Sequence, residues 1–310
     1  MEAIKTDKLT KKYKNLTAVD SLDLLVEQGE LFALLGVNGA GKTTTIKMLS
    51  CLTKPTGGDA YLNGNSIVSD PAAVKNVIGV SPQETAVAPG LTVKENLALM
   101  CGVHGFSKEK RQQKIKELSR QFDLAGVLGK KAGKLSGGWQ RRLSIAMALI
   151  SEPKILFLDE PTLGLDVLAR GDLWDVIRTL KGRITIILTS HYMEEVEQIC
   201  TRIAIMDHGR VIASGTTEEL KKMIKTGETI TVEAILLEEK HLQDIRNLSH
   251  VFDVHYENQI LSLRCTGAQH NLIRLLNYLQ SQDITFGRVF SELPTLNDVF
   301  LEITGKQLRD

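Results

Sequence analysis

The sequence predicts an α/β domain with a mainly parallel sheet, followed by a smaller α+β domain. Short apolar runs such as "GELFALLG" and "ILFLDEP" end at glycine or acidic residues, and segments with helical spacing lie between them. After Lys225 the pattern changes to strand, helix, hairpin, helix, strand and closing helix, which is the ferredoxin-like order. We therefore expect one domain over residues 1–225 and an accessory domain over 226–310.

Bulk composition excludes several classes of protein. The chain has 310 residues, of which 43% are hydrophobic and 24% charged, and its net charge of +1 gives no overall attraction to nucleic acid. Its four cysteines lie far apart and form no Cys-x-x-Cys pair, which argues against a disulfide framework or a cysteine metal site. The sequence has no signal-peptide pattern and no run of the ~18 apolar residues of a membrane span. If the protein works at a membrane, we expect another chain to supply the spanning helices.

In the first domain, "GELFALLG" predicts a buried strand that leads into a helix in "AGKTTTIKMLSCL", with Ile46, Leu49 and Leu52 along one side. "TGGDAYLNGN" predicts a turn and a short antiparallel hairpin. Residues 91–128 are predicted to be mostly helical, within a helical subdomain over about 85–150. Its charged tract has mixed signs at helical spacing, which favours a solvated helix face over a nucleic-acid patch.

The remaining elements follow the same two periodicities. We expect helices at 144–150, 167–180 and 193–200, and strands at 155–158, 184–189 and 203–206. In the accessory domain, "TITVEAILL" and "ITFGRVFSE" predict strands, and "VFDVHYENQILSLRC" predicts a hairpin that turns at Glu257–Asn258. "EEKHLQDIRNL", "AQHNLIRLLNYLQSQ" and "TLNDVFLEIT" predict helices.

"GVNGAGKT" fits the G-x-x-x-x-G-K-[ST] pattern of a phosphate-binding loop between a strand and a helix. Gly36, Gly39 and Gly41 let the backbone wrap an anion without Cβ clashes, so that N–H groups point inward. Lys42 adds a positive charge at the β- and γ-phosphates, and the Thr43 hydroxyl can ligate Mg²⁺. The pattern therefore predicts a nucleoside triphosphate site.

A second part of this site is predicted at the end of the strand "ILFLDEP". Ligands of parallel sheets bind at the carboxyl ends of the strands, where Asp159 and Glu160 stand. Asp159 can hold Mg²⁺, and Glu160 is placed to orient or activate the attacking water. The guanine-specific NKxD motif of GTPases is missing, and nothing resembles the arginine-bearing lid of a kinase.

"LSGGWQRR" offers a second set of anion-binding groups, the Ser136 hydroxyl and the N–H groups of Gly137 and Gly138, at the start of a predicted helix. In a domain of this order, that helix should lie far from the chain's own phosphate loop. The second cradle therefore needs a phosphate held by another molecule. A head-to-tail two-fold dimer, joined through ATP, is the simplest arrangement.

These motifs in this order resemble the ATP-binding-cassette ATPases, a family of P-loop NTPases, over about Ile4 to Lys225. The resemblance implies an ATP and Mg²⁺ site in which Glu160, His191 and Lys42 are catalytic. It implies metal contacts from Thr43, Gln83 and Asp159. The cofactor-binding positions that it implies are Tyr13, Gly36, Asn38, Gly39, Gly41, Lys42, Thr43, Thr44, Gln83, Ser136, Gly137, Gly138 and Asp166.

The resemblance gives several of these residues specific roles. Tyr13 matches the aromatic residue that stacks on adenine, and Gln83 matches the Q-loop glutamine that faces the transmembrane partner. Asp166, in "LGLD", matches the D-loop at the dimer interface, and His191 matches the switch histidine that contacts the γ-phosphate. Trp139 departs from the usual signature, and it could pack against the dimer partner or the membrane subunit.

Leu163 stands where the D-loop often has serine, and this replacement resembles the daunorubicin-resistance-type branch of type-2 exporters. The segment "LPTLNDVFLEITG" resembles the C-terminal ending of proteins in that branch. This implies an ATPase subunit that forms a homodimer with a second copy of the cassette and drives a separate integral membrane permease. It implies a peripheral location at the cytoplasmic face of the membrane and no nucleic-acid partner. A cassette ATPase acting on DNA or ribosomes, and an importer subunit with a regulatory C-terminal domain, are the alternatives.

Overall fold

The computed structural model describes residues 1–267 and 270–305. The chain divides into two compact units, the first ending at Thr216 and the second starting at Thr217. Each unit contains its own cluster of buried apolar side chains. The predicted domain boundary after Lys225 lies beyond the short helix Thr217–Lys221, and it stays a prediction.

The first unit is built from strands and helices that alternate after a largely β N-terminal part. Its strands are β1 (Glu2–Tyr13), β2 (Leu16–Leu22), β3 (Leu25–Glu27), β4 (Leu31–Leu35), β5 (Gly57–Leu62), β6 (Asn65–Ser66), β7 (Ile78–Ser81), β8 (Ile155–Asp159), β9 (Thr185–Ser190), β10 (Arg202–Asp207) and β11 (Arg210–Gly215). Its α-helices are α1 (Lys42–Leu49), α2 (Pro71–Val77), α3 (Val93–Val103), α4 (Lys108–Gln121), α5 (Gly137–Ala148), α6 (Val167–Leu180) and α7 (Met193–Ile199). Single 3₁₀ turns lie at Ala125–Val127 and Ala132–Lys134.

The central sheet of this unit has the strand order β11-β10-β4-β9-β8-β7. Its strands run parallel from β10 to β7, and β11 pairs antiparallel at the edge. The predicted mainly parallel sheet is therefore confirmed. Strands β4, β8 and β9 are buried along their whole length, as expected for strands covered on both faces. Because these three are neighbours, the segments that follow them meet at one edge of the sheet.

A second, antiparallel sheet has the order β2-β1-β5-β6, with β3 also paired to β1. The hairpin predicted in "TGGDAYLNGN" is present as β5 and β6, with Leu62 paired to Asn65. The helical prediction for 91–128 is confirmed by α3, α4 and the first 3₁₀ turn. Helix α3 starts at a capping box in which Thr92 and Glu95 exchange hydrogen bonds.

The helix predicted to run through Leu52 ends earlier, at Leu49. Ser50 Oγ donates to the Ile46 carbonyl at 2.7 Å, and Cys51 takes a left-handed conformation with φ of 56°. The chain therefore leaves the helical path at Cys51. Leu52 is 66% exposed instead of lying on the buried side, so its predicted place in the helix is wrong.

The second unit begins with a short helix and continues with the predicted order of strands and helices. Its elements are α8 (Thr217–Lys221), β12 (Glu228–Val232), α9 (Glu239–Arg246), β13 (Val251–Glu257), β14 (Ile260–Cys265), α10 (Asn271–Ser281), β15 (Val289–Glu292) and α11 (Leu296–Thr304). The sheet has the order β13-β14-β12-β15, and all its pairs are antiparallel.

Two details of this unit differ from the sequence prediction. The hairpin turns at Asn258 and Gln259, one residue later than predicted, with φ of 51° and 61°. Positive φ at both central residues matches the twist of the flanking strands in a two-residue hairpin. The last strand begins at Val289 rather than Ile284. The start predicted for the preceding helix, at 268–269, lies outside the described residues.

Candidate functional site

The phosphate loop joins the buried strand β4 to helix α1. A Cβ at Gly36 would collide with the Met206 carbonyl oxygen. Gly41 has φ of 105°, and a Cβ there would collide with the Ala18 carbonyl. The loop therefore follows its path only with glycine at these two positions. Gly39 has φ of 84° but faces open space.

Lys42 starts α1, and its ammonium group turns back into the phosphate loop. Nζ donates to the Gly36 carbonyl at 2.7 Å and to the Val37 carbonyl at 3.3 Å. It also lies 3.6 Å from Glu160 Oε1. Burial lowers the pKa of Lys42, and the nearby Glu160 carboxylate partly opposes that change. Thus a buried positive charge lies where the predicted site needs one.

The other predicted loop residues are close to Lys42 in sequence, and they differ in how exposed they are to solvent. Asn38 and Gly39 are exposed at the top of the loop, whereas Thr43 and Thr44, in the first turn of α1, are half-buried. The N–H groups of the first turn of a helix have no partner within the helix and favour an anion. The loop therefore combines exposed backbone with a helix N-terminus.

Asp159 ends β8 and is held by hydroxyl groups from two other segments. Thr43 Oγ1 donates to Asp159 Oδ1 at 3.1 Å, and Thr189 Oγ1 donates to the same oxygen at 2.6 Å. Thr189 also accepts the Glu160 backbone N–H at 2.9 Å. The sequence pattern did not indicate Thr189, although its place at the end of a buried strand beside β8 explains why a polar side chain occurs there.

Glu160 is the buried centre of the site. One carboxylate oxygen lies 3.6 Å from Lys42 Nζ, and the other lies 2.9 Å from His191 Nδ1. Its backbone adopts a left-handed conformation, with φ of 47°, at the end of β8. Such a conformation is unfavourable for a glutamate and is typical of residues that the surrounding structure holds for function. The structure thus brings the three predicted catalytic side chains together.

The oxygen ligands around Asp159 suit a hard divalent cation. Mg²⁺ prefers carboxylate, hydroxyl and phosphate oxygens and keeps several ligands that do not come from the protein. Thr43 and Asp159 present such oxygens side by side. Within residues 1–267 and 270–305, no cluster of three or more His, Cys, Asp or Glu side chains could hold a metal ion. The Thr43 and Asp159 oxygens fit a Mg²⁺ ion that takes its other ligands from a nucleotide and water.

The signature residues are far less satisfied by their own chain. Ser136 precedes α5 and is exposed, and its side chain makes no capping hydrogen bond. Gly137 is exposed, and a Cβ on Gly138 would lie 3.0 Å from the Ala169 Cβ. No hydrogen bond or ion pair recorded among the described residues joins 135–139 to the phosphate loop. The hydroxyl and the helix N-terminus remain available to an anion.

Asp166 caps the helix that begins beside the signature. Its carboxylate accepts the Ala169 N–H at 2.9 Å, which fixes the first turn of α6. The next two residues, Val167 and Leu168, are 78% and 81% exposed. Neighbouring exposed apolar side chains of this kind are typical of a contact surface.

Gln83 is exposed in the loop after β7, and its backbone is held from the signature helix. Arg141 Nη1 donates to the Pro82 carbonyl at 2.6 Å, and Nη2 donates to the Gln83 carbonyl at 2.5 Å. The guanidinium group is buried, and that burial lowers the pKa of Arg141, while Asp159 opposes the change. Arg141 was not predicted as a site residue. Its only sequence signal is a charge on the buried side of α5.

The two aromatic residues singled out in the sequence, Tyr13 and Trp139, differ in exposure. Tyr13 ends β1 and is 45% exposed, and Lys11 Nζ lies 5.0 Å from its ring centroid. Trp139 is half-buried against its own chain, with the Arg142 guanidinium 5.1 Å from its ring centroid. Arg142 in turn pairs with Asp172 at 2.9 Å.

Comparison with known proteins agrees with this geometry. The ABC transporter family matches residues 19–163, and the DrrA1-3-like C-terminal domain family matches residues 215–304. Daunorubicin resistance ATP-binding protein DrrA3 of Streptomyces coeruleorubidus is 38% identical over 310 residues, covering 99% of this chain and 97% of the relative. Linearmycin resistance ATP-binding protein LnrL of Bacillus subtilis is 34% identical, covering 99% of this chain and 100% of the relative.

A solved dimer of an ATP-binding cassette, in a post-hydrolysis state with ADP and Pi bound, has the same fold. It superposes with a TM-score of 0.63 at 26% identity and covers 69% of this chain and 98% of that one. Among the described residues, no helix is both long enough and apolar enough to span a membrane. The chain belongs to the ABC transporter ATPases, in the branch of the daunorubicin-resistance ATP-binding proteins, and it is an ATP-hydrolysing enzyme.

Proposed function

We propose that this ATPase powers an export system by acting at the cytoplasmic face of a membrane, bound to separate integral permease subunits. The relatives named for resistance to daunorubicin and linearmycin support export. The observation that carries the chemical part is Glu160, buried between Lys42 and His191 at the end of a strand. The Glu160 carboxylate can accept a hydrogen bond from the water that attacks the γ-phosphate.

In the proposed reaction, the phosphate loop holds ATP and Glu160 orients and polarises the attacking water. Lys42 and His191 stabilise the charge that develops on the γ-phosphate oxygens. Thr43, Asp159 and Gln83 would hold Mg²⁺, which supplies positive charge against the phosphates when bound. Tyr13 would stack on the adenine ring. Each of these roles stays a proposal for this chain.

The signature implies that the working unit is a pair of cassettes, which we propose to be a homodimer. Ser136, Gly137 and Gly138 of one subunit would bind the ATP held by the other, and Asp166 would lie at the interface. The open Ser136 hydroxyl and the exposed residues after Asp166 support this arrangement. Loss of the γ-phosphate removes the anion that both subunits bind, so the dimer opens after hydrolysis.

Contact with the permease is proposed at Gln83 and the helical segment that follows it. Arg141 holds the backbone of Pro82 and Gln83 from the signature helix. A displacement of the exposed loop would therefore reach α5 directly. Purification of this chain from detergent-solubilised membranes should recover a polytopic membrane protein, identified by mass spectrometry. Recovery of ribosomes or DNA instead would contradict the export proposal.

The catalytic proposal is tested by Glu160→Gln in the full chain. Removing the general base should lower the ATPase rate at least about 100-fold. The same variant should accumulate a dimer with ATP and Mg²⁺, measured by light scattering. Glu109→Gln, an exposed glutamate on α4, is the matched control and should behave as wild type. A monomer in ATP and Mg²⁺, or an unchanged rate, would contradict the proposed site.

A further inference from the structure

A second carboxylate, that of Glu195, collects hydrogen bonds a short distance after the switch histidine. Thr162 Oγ1 donates to Glu195 Oε2 at 2.8 Å, and Trp174 Nε1 donates to the same oxygen at 3.0 Å. Arg170 Nη1 donates to Oε1 at 3.1 Å. The Glu195 side chain is only 15% exposed, so these charge-assisted bonds form largely away from water, where they are stronger.

The donors come from the segment that contains the D-loop. Thr162 lies just before this loop, and Arg170 and Trp174 lie on α6, which follows it. Arg170 also donates from Nε to the Leu165 carbonyl at 3.0 Å. Its guanidinium therefore holds the D-loop backbone with one N–H and the Glu195 carboxylate with another, an arrangement that the rigid fork of arginine permits.

The same guanidinium packs on the residue next to the switch histidine. Arg170 Cζ lies 4.7 Å from the centroid of the Tyr192 ring, and the Tyr192 and His191 ring centroids are 4.1 Å apart. His191 then contacts Glu160 at 2.9 Å. A continuous series of contacts thus runs from the Leu165 backbone, through Arg170 and the two rings, to the proposed catalytic carboxylate.

We propose that Glu195 and Arg170 are positioning residues that hold the D-loop and His191 as one unit. A partner cassette that contacts the D-loop would then bring His191 into its working position at the same time. This inference rests on the proposed roles of His191 and Glu160. Glu195 suits this positioning role because a carboxylate can accept several hydrogen bonds, and three different side chains donate to it.

The test compares Glu195→Gln with Glu194→Gln, an exposed neighbour on the same helix, in the full chain. A glutamine at 195 keeps the size but presents N–H groups to the donors. The kcat for ATP should fall about 10- to 100-fold, as expected from misplacing a catalytic group. Binding of a fluorescent ATP analogue should change less than about twofold, because its phosphate-loop contacts are intact. Glu194→Gln should leave both values unchanged.

A double substitution separates positioning from a general structural effect. If Glu195 acts through His191, adding Glu195→Gln to His191→Ala should lower the residual kcat less than about twofold further. Arg170→Lys, with Arg178→Lys as its control on the same helix, keeps the charge and loses the fork. It should reproduce the fall in kcat, and it provides the test if Glu195→Gln does not fold.

An unchanged kcat in Glu195→Gln or in Arg170→Lys overturns the inference. The inference is also overturned if the fold-loss of kcat in the double variant equals the product of the fold-losses in Glu195→Gln and His191→Ala alone. Failure of the proposed function gives a different result. In that case His191→Ala and Glu160→Gln themselves would retain the wild-type rate. If those two abolish hydrolysis while Glu195→Gln does not, only the positioning role is wrong.

Discussion

Lys42 and Ser136 both stand at the N-terminal end of a helix, yet their surroundings are opposite. Lys42 is buried, donates to two carbonyls and lies beside Glu160. Ser136 is exposed, and its side chain makes no capping bond. The phosphate-loop half of the site is thus fixed by contacts within the chain. In the signature half, the Ser136 hydroxyl makes no capping bond within the chain. This is the arrangement expected of a surface that binds an anion carried by another molecule.

The largest expected effect comes from Ser136→Glu, which should separate activity from stability. A carboxylate at a helix N-terminus stabilises the helix, so the melting temperature should stay the same or rise slightly. The same charge repels a phosphate, and the ATPase rate should fall at least about 100-fold. Nucleotide binding by the monomer should remain, in contrast to Lys42→Ala, which should lose it.

Ser249→Glu, at an exposed serine of the second unit, controls for the added charge and should leave the ATPase rate unchanged. A normal rate in Ser136→Glu would break the comparison, because the signature would then bind no phosphate during hydrolysis.

Alanine at a glycine in each half should give unequal losses of stability. Gly41→Ala forces a Cβ into the Ala18 carbonyl at φ of 105°, so the free energy of unfolding should fall by about 2–4 kcal/mol. A Cβ on Gly137 would lie at an ordinary 3.6 Å from Leu165 Cδ2, so Gly137→Ala should change it by less than about 0.5 kcal/mol. Urea denaturation measures both, and equal losses would contradict the contrast.

Removing one hydroxyl from each half should also reduce the free energy of unfolding more in the phosphate-loop half than in the signature half, but the difference should be smaller than that between the two glycine substitutions. Thr189→Val should lower the free energy of unfolding by about 1–3 kcal/mol, because it leaves the buried Glu160 N–H without its acceptor and removes one of the two hydroxyl groups that donate to Asp159. Ser136→Ala should change it by less than about 0.5 kcal/mol, since that hydroxyl caps nothing within the chain. Thermal melting of both variants checks this, and a stable Thr189→Val would show that the network contributes little.

The parts of the site that lie in short continuous motifs could be predicted from sequence. Gly36 to Thr43 lie in one loop, and Asp159 and Glu160 follow one apolar strand, so local patterns and sheet geometry suffice to place them. Thr189 could not be predicted in its role, because its bond to Asp159 joins residues 30 positions apart. The bond from Thr162 to Glu195 spans 33 positions and has no motif either.

The errors in the fold prediction have a local cause. Leu52 continues the apolar spacing of α1, but the left-handed conformation at Cys51 ends the helix, and no glycine marks that point. In the accessory unit, the turn was predicted at Glu257–Asn258, but Asn258 and Gln259 are the two residues that take positive φ. Left-handed conformations at residues other than glycine leave little trace in a sequence, because the surrounding contacts select them.

The smallest expected effect is a pH dependence that belongs to the phosphate-loop half. Burial lowers the pKa of Lys42 below its ordinary value of 10.5, and Glu160 opposes this only in part. Below the lowered pKa the charged lysine is buried at a loss of stability, and above the unfolded-state value that loss is absent. Relative to Lys42→Met, the free energy of unfolding of the wild type should therefore rise with pH between these two pKa values. Urea denaturation from about pH 8 to about 11 measures the difference.

Lys134→Met, at an exposed lysine beside the signature, controls for the lost charge. A difference that stays flat would mean that the ammonium group is as well stabilised in the folded loop as in water, and the contrast between the halves would then rest on hydrogen bonding alone.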